Sequence, residues 1–439
     1  MKLLEWQEPL AARQTEVLRR ERCFLMAAHT GAGKTYLAAQ TIVDLKLPTI
    51  VVAPKISLTQ WTKVLEGMGA MEFVKAVVNP EKLVASKKQK LYDHDLGWST
   101  DAKLLVWDET HRGASGEKSK STKALARWCN KAHPDNKALL MSATPADSPM
   151  KMRALGYLMG FHRFVDASWY DFLRKNGCFI SNRGGRGHLE FTKDRTRATA
   201  IMKKLRADMG DRFMSVGPGE IPGFPDEVRE VELVDLEKKD HDALVEAYAE
   251  MPELMRKPSS DSMVKLLRLR QQAEFCKASV LAEMAMDEVT AGNSVFIAIS
   301  FTDCRLRIQM ELERNGVPFS AVYGGQKESE RKVMVDDFQQ NRVHVMIGMM
   351  QACGVALSLH DEKHERPRVS LISPSFSASD VVQALGRIRR VGGTPVVQKF
   401  VLVANSVEEQ VAKTIRAKLN ALSSLTDTDL LASVDGSMI

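Results

Sequence analysis

The run Ala28-His29-Thr30-Gly31-Ala32-Gly33-Lys34-Thr35 constrains the fold of this chain more than any other stretch. The apolar residues 23–27 before it read as a short buried strand, and residues 36–45 after it as a helix. A strand that turns straight into a helix through two glycines points several backbone N–H groups inward. Gly31 and Gly33 let the chain wrap an anion with no side chain in the way, and the helix N-terminus adds a favourable dipole. Thr30, Gly31, Ala32, Gly33, Lys34 and Thr35 are therefore the expected phosphate cradle. Lys34 would reach the β- and γ-phosphates, and Thr35 would offer its hydroxyl to a magnesium ion. The loop alone specifies a nucleoside triphosphate and nothing about its use.

With 439 residues, 44% of them hydrophobic, the chain has room for two or three domains with full cores. Its 62 Lys and Arg against 55 Asp and Glu leave +7, which suits a polyanionic partner without requiring one. The six cysteines fall singly, so neither a zinc site nor a disulfide framework is expected, and a reducing cytoplasm fits. The amphipathic, charged start lacks the parts of a secretion signal, and no apolar run is long enough to span a bilayer.

Several further polar groups belong at the ends of apolar runs. Gln14, in a helix opening at Glu8, is either a reader of an adenine edge or a glutamine on an exposed face. Residues 49–53 form the next strand, ending at Pro54 and Lys55. A helix then starts near Ser57 and carries Gln60 and Trp61. Ligands of an open α/β sheet sit beyond the carboxyl ends of its strands, so Pro54, Lys55 and Gln60 can hold a phosphate backbone. The alternative leaves Trp61 in the core and Lys55 merely solvated. Residues 73–78 make a third strand, ended by Asn79, a second polar strand end that is expected to contact nucleic acid. Residues 104–107 lead into Asp108-Glu109-Thr110-His111, where two adjacent carboxylates divide two jobs. Asp108 would hold hydrated magnesium, and Glu109 would orient and deprotonate the attacking water. A strand at 138–141 ends in Ser142-Ala143-Thr144-Pro145, whose hydroxyls can relay hydrogen bonds to the carboxylates.

This ordered set resembles the superfamily-two helicases and translocases. The runs VVAPKISLTQW and DETHR, with SKSTKAL after them, look like the Swi/Snf-type duplex translocases. Farther on, residues 178–181 and 188–192 read as a hairpin whose tip carries Arg183 and Arg186 among glycines. That tip either touches nucleic acid or is a surface hairpin with no mechanistic role. The Gly217 to Pro225 cluster marks a linker or domain boundary.

From Val231 the pattern resets into alternating strands and helices, with strands expected at 231–234, 294–299, 319–322, 343–347, 369–372 and 396–402. Helices are expected at 237–249, at 263–290 without a break, at 304–314 and at 328–338. This is a second parallel sheet without a phosphate loop, so it should act on the first domain's nucleotide. Arg387 and Arg390, read as lying in a helix that follows Asp380, would share one face and reach a γ-phosphate together. Here the Swi/Snf-type likeness is greatest, in VFIAISF, YGGQKESER, QACGVALSL, QALGRIRRVGG and NSVEEQV. The resemblance implies nucleic-acid contacts at Ser300, Gly324 and Gly325, and nucleotide contacts at Gly354 and Gln383. Cys353 and Ser358 stand where the family has glycine and asparagine.

The expected fold is α/β, two tandem RecA-like domains of parallel sheets flanked by helices with a nucleotide cleft between them. Residues 1–228 form the first lobe, 229–425 the second, and 426–439 a tail. The expected activity is an ATP- and magnesium-dependent DNA translocase acting as a monomer on duplex or branched DNA. A strand-separating DNA or RNA helicase is the alternative. A phosphate-loop protein that binds nucleic acid or a partner without hydrolysis is the third reading. A cytoplasmic location goes with all three, nucleoid-associated in a bacterium or in a virus of a bacterial host.

Overall fold

The computed structural model describes residues 1–85, 91–93, 96–111, 119–129, 133–183, 186–248, 260–353, 357–373, 375, 377–404 and 407–426. These form two compact units. Among the described residues, unit 1 comprises Met1–Ile180, Leu189–Pro222 and the stretch 420–426; unit 2 comprises Ser181–His188 and Gly223–Leu419.

In chain order the first half carries β1 (Cys23–Ala28), β2 (Thr49–Val52), β3 (Val74–Val78), β4 (Tyr92–Asp93), β5 (Gly97–Trp98), β6 (Leu104–Trp107), β7 (Lys137–Met141), β8 (Cys178–Arg183), β9 (Arg186–Phe191) and β10 (Phe213–Val216), all in unit 1 except Ser181–His188 of the β8–β9 pair. Two pairs, β4 with β5 and β8 with β9, stand apart from the main sheet. The other six form a sheet in the order β10-β1-β7-β6-β2-β3, with every neighbouring pair parallel. Every residue of β1, β2 and β6 is buried, as expected for parallel strands covered by helices on both faces. Their registers align the carboxyl ends, with Val52 beside Trp107 and Trp107 beside Leu140. The loops that follow β1, β2, β6 and β7 therefore line one edge. The edge strand β10 was not expected from sequence, because its four residues lie in an irregular stretch between glycines.

Unit 2 carries β11 (Glu227–Val234), β12 (Ser294–Ile299), β13 (Phe319–Val322), β14 (Val345–Met349), β15 (Arg368–Ile372) and β16 (Val396–Val403). They form a second all-parallel sheet, ordered β11-β16-β15-β12-β14-β13. Its core gathers Val295, Ile297, Ile347 and Leu371 from the strands, with Leu281, Ile308 and Leu312 from the covering helices. The chain passes between the units at Pro222 and Gly223 rather than at 228, because β11 pairs with β16 from Glu227 onward. The final helix, Val407–Thr426, starts in unit 2, while Ala421 and Leu425 near its end pack in the core of unit 1. The expected tail, from 427 onward, lies outside the described residues.

Two helices differ from expectation for identifiable reasons. The segment read as one helix over 263–290 is two, Ser260–Cys276 and Ala278–Thr290. At the break Lys277 is fully buried, and its Nζ donates to Ser373 Oγ at 3.1 Å and Val401 O at 3.0 Å. The helix expected to hold both arginines spans only Ala378–Leu385. Arg387 and Arg390 lie beyond its end, so they share no helix face.

Candidate nucleotide site and strand-end contacts

The glycine loop is fastened to its sheet before it reaches the helix Lys34–Leu45. His29 N donates to Val216 O at 2.9 Å, tying the loop to β10, and Ala32 N closes a turn onto His29 O at 3.2 Å. Gly31 and Gly33 have φ of 89° and 76°, where a side chain would be strained. A Cβ on Gly33 would also run into the side-chain amide of Gln7. The cradle is thus closed to any larger residue. Lys34 Nζ donates to Ala28 O at 2.9 Å and His29 O at 3.3 Å, which holds the ammonium over the loop. Thr30 is buried, and its hydroxyl has no hydrogen-bond partner. An orphaned donor beside a lysine and two positive-φ glycines is what a polyphosphate would satisfy.

Gln14 does not face this loop. It is fully buried in the helix Glu8–Arg20, and its Nε2 donates to Thr41 Oγ1 at 2.8 Å on the helix after the loop. Its amide is thus directed at the neighbouring helix and not at the loop. The glutamine that touches the loop is Gln7, whose Nε2 donates to Ala32 O at 3.1 Å while its Oε1 accepts from Leu4 N at 3.1 Å. No sequence pattern marks Gln7, which precedes the helix Glu8–Arg20 and reaches the loop only through tertiary packing.

At the end of β6, Asp108 is buried and both its oxygens are engaged. Oδ2 accepts from Trp61 Nε1 at 3.0 Å and Oδ1 from Glu109 N at 2.9 Å. Burial, with the Glu109 charge behind it, pushes the Asp108 carboxyl up to about 6, while the Trp61 indole and the Lys34 ammonium pull the other way. Trp61 follows β2, the neighbour of β6, and its indole fixes the rotamer of Asp108. Glu109 has φ of 50°, an uncommon conformation for a residue with a side chain. Its Oε2 lies 3.2 Å from His111 Nδ1, the atom that also meets Ser142 Oγ at 2.8 Å and Thr144 Oγ1 at 3.3 Å. Thus the structure gathers Asp108, Glu109, His111, Ser142 and Thr144 into one network beside the glycine loop.

Among the described residues no group of three or more His, Cys, Asp or Glu could enclose a metal. A magnesium ion carried by a triphosphate keeps most of its waters and needs only one or two protein ligands.

The expected nucleic-acid contacts fare unequally. Lys55 and Gln60 are exposed after β2, and Pro54 is half-buried. Asn79 is buried, and its Oδ1 accepts from Lys82 N at 3.1 Å, capping the helix Pro80–Ala85 instead of facing a ligand. In unit 2, Ser300 and Phe301 spend their backbone amides on the buried Glu274, at 2.9 and 2.7 Å, so Ser300 has only its side chain to offer. Burial pushes the Glu274 carboxyl up, against the pull of Lys277. Gly324 and Gly325 are exposed in the turn after β13, where Gly325 has φ of 88°. Gly354 and the side chains of Arg183, Arg186 and Cys353 lie outside the described residues.

Arg387 and Arg390 converge although no helix carries them. Arg387 Nη1 and Arg390 Nη2 donate to the same carbonyl, Leu357 O, at 3.1 and 3.0 Å. Arg387 is buried and Arg390 half-buried, and desolvation lowers the Arg390 guanidinium to about 10, so it remains charged at neutral pH. Gln383 lies buried in the helix leading to them.

Residues 1–147 match the family described as the res subunit of type III restriction enzymes, and residues 276–392 match the helicase conserved C-terminal domain. The chain belongs to the superfamily-two helicases and translocases. Its two sheets correspond to the tandem RecA-like domains of that superfamily. A putative ATP-dependent RNA helicase of Acanthamoeba polyphaga mimivirus is 27% identical over 98% of this chain and 84% of its own length. The structure of S. cerevisiae Dbp5 bound to RNA and ADP BeF3 covers 94% of this superfamily-two chain and 87% of Dbp5, at 14% identity and a TM-score of 0.53. The Sulfolobus solfataricus SWI2/SNF2 ATPase core in complex with dsDNA covers 97% of this chain and 95% of its own, at 15% identity and a TM-score of 0.39. This superfamily-two member is a helicase-family, ATP-dependent nucleic-acid enzyme. Among its described residues no helix is long and apolar enough to cross a membrane.

Proposed function

We propose that this chain is a nucleic-acid-stimulated ATPase that moves along duplex or branched DNA. The observation that carries the reading is the gathering of Lys34, Asp108 and Glu109 on one sheet edge, with the Asp108 carboxyl within electrostatic range of the Lys34 ammonium. In this reading the loop amides of 31–35 bind the β-phosphate, and Lys34 leaves the Ala28 and His29 carbonyls to bind the γ-phosphate. Thr35 and Asp108 would hold a magnesium ion, which would supply charge neutralisation at the leaving group. Glu109 takes a proton from the attacking water, and His111 passes the state of that carboxylate to Ser142 and Thr144. Gln7 braces the loop through the Ala32 carbonyl. Arg387 and Arg390 exchange the Leu357 carbonyl for γ-phosphate oxygens, a fully charged acceptor in place of a dipole. An arginine supplied in this way is worth roughly 10³ to 10⁵ in rate in other phosphoryl-transfer enzymes.

Lys55, Gln60 and the Gly324–Gly325 turn are suited to phosphates rather than base edges, so binding should weaken with salt and show little sequence preference. Duplex DNA is favoured by the Swi/Snf-type sequence motifs and by the restriction-enzyme family matched in unit 1. RNA is the second reading, favoured by the naming of the mimivirus relative as an RNA helicase.

The test is steady-state ATPase with no nucleic acid, single strands, duplex DNA, forked DNA and RNA. Stimulation by duplex DNA without strand displacement supports the first reading; stimulation confined to RNA replaces it with the second. Lys34→Ala and Glu109→Gln should abolish turnover while nucleic-acid binding persists, and near-wild-type ATPase in either variant refutes the site.

A further inference from the structure

Between the two converging arginines lies a third, Arg389, which turns the opposite way. Its Nε donates to Pro225 O at 2.8 Å, its Nη1 pairs with Glu227 Oε2 at 2.5 Å, and its guanidinium lies 4.8 Å from the centre of the Phe224 ring. The residues it holds are the ones by which the chain enters unit 2 from unit 1.

The receiving carboxylate is built for the task. Glu227 accepts from Arg229 through both oxygens, at 2.7 and 2.8 Å, and from Gln398 Nε2 at 2.6 Å, in addition to Arg389. Side-chain exposure is 5% for Glu227, 6% for Arg229 and 13% for Arg389, so water takes little part. Gln398 also donates to Leu385 O at 3.0 Å, the carboxyl end of the helix before the arginines, and Ser370 Oγ donates to its Oε1 at 3.1 Å. Asp226 O accepts from Val396 N at 3.0 Å. A planar guanidinium that donates through two nitrogens and stacks on a ring fixes direction as well as distance, which a lysine cannot do. These contacts consequently tie the entry segment to the arginine loop.

We propose that Arg389 is a positioning residue, fastening the 224–227 entry segment to the arginine loop so that displacement of the connection between the units is passed to Arg387 and Arg390. This deepens the reading above and rests on it for the role of those two arginines. A solvated loop of the same composition would let the connection move without moving the guanidiniums. Here one residue separates Arg389 from Arg387 and none separates it from Arg390, so slack is short.

The test uses the full chain carrying Arg389→Gln, Arg389→Lys or Glu227→Gln, with Arg387→Ala as reference. Hydrogen exchange at residues 223–229 should rise about ten-fold in Arg389→Gln, and nucleic-acid-stimulated kcat should fall about ten-fold, with KM for ATP within about three-fold of wild type. Arg389→Lys should restore part of kcat by keeping the charge opposite Glu227. Wild-type kcat in Arg389→Gln, with or without faster exchange, overturns the proposal. So does a fall in kcat that tracks a lowered melting temperature and a raised KM, because a merely structural role predicts that pattern. If Arg387→Ala keeps wild-type kcat, the reading of the arginine pair fails, and exchange at 223–229 decides by itself whether Arg389 fastens the segment.

Discussion

Replacing Lys277 with methionine should cost unit 2 more stability than any surface charge change, and the structure sets the size. The ammonium is fully buried and makes three polar contacts: Ser373 Oγ at 3.1 Å, Val401 O at 3.0 Å and Glu408 Oε1 at 2.7 Å. Two buried carboxylates depend on it, since Glu274 also feels its charge. Removing one member of a buried ion pair leaves its partner without compensation, at a cost of about 3 to 5 kcal/mol. An exposed pair such as Lys204 with Asp208, at 69% and 42% side-chain exposure, sets the contrast. Lys204→Met should change stability by no more than about 0.5 kcal/mol. Urea titration separates the units, because all six tryptophans precede residue 180 and so report on unit 1. Far-UV circular dichroism should gain an early transition in Lys277→Met while the fluorescence transition stays in place. The double variant Lys277→Met, Glu408→Gln should regain at least about 1 kcal/mol by removing the stranded charge. A single variant within about 0.5 kcal/mol of wild type would refute the reasoning, because a buried ammonium with these partners cannot be that cheap to remove.

Two further outcomes can be checked in the same preparations. Gln7→Ala should weaken binding of a fluorescent ATP analogue, whereas Gln14→Ala should leave affinity unchanged and cost about 1 kcal/mol through the lost bond to Thr41; equal effects on affinity would undo the distinction. Burial, with the charges of Arg390, Arg368 and His364 behind it and against the pull of Asp361, pushes the His360 imidazole down to about 4. Its folded value lies below its unfolded one, so its contribution to stability is present above about pH 6.5 and is lost as pH falls toward 4. Melting of His360→Asn should therefore depend less on pH than wild type across that window, and identical slopes would contradict the assignment.

Much of the fold was legible because parallel strands buried on both faces leave continuous apolar runs. Cys23 to Ala28, Leu104 to Trp107 and Ser294 to Ile299 are each bounded by polar or glycine residues, and each is a strand. The strand β10 was not legible, because four residues in an irregular stretch have no period. The helix containing Lys277 was expected to run on because periodicity records which residues are apolar and not where a buried ammonium finds its partners. Asn79 illustrates the same limit at the site. A polar residue after a strand suggests ligand contact, but its carbonyl oxygen caps the next helix.

Sequence by itself determined which groups are on offer: a glycine loop with Lys34 and Thr35, two carboxylates after a buried strand, and two arginines in the second unit. Those follow from residue type and order, since phosphate binding needs small residues, a cation and a hydroxyl at fixed spacing. Tertiary structure alone decided which glutamine touches the loop, that Trp61 orients Asp108, and that Arg389 holds the entry segment while its neighbours share the Leu357 carbonyl. Each of those joins residues distant along the chain, and only the packing of sheets and helices brings such atoms within hydrogen-bonding distance.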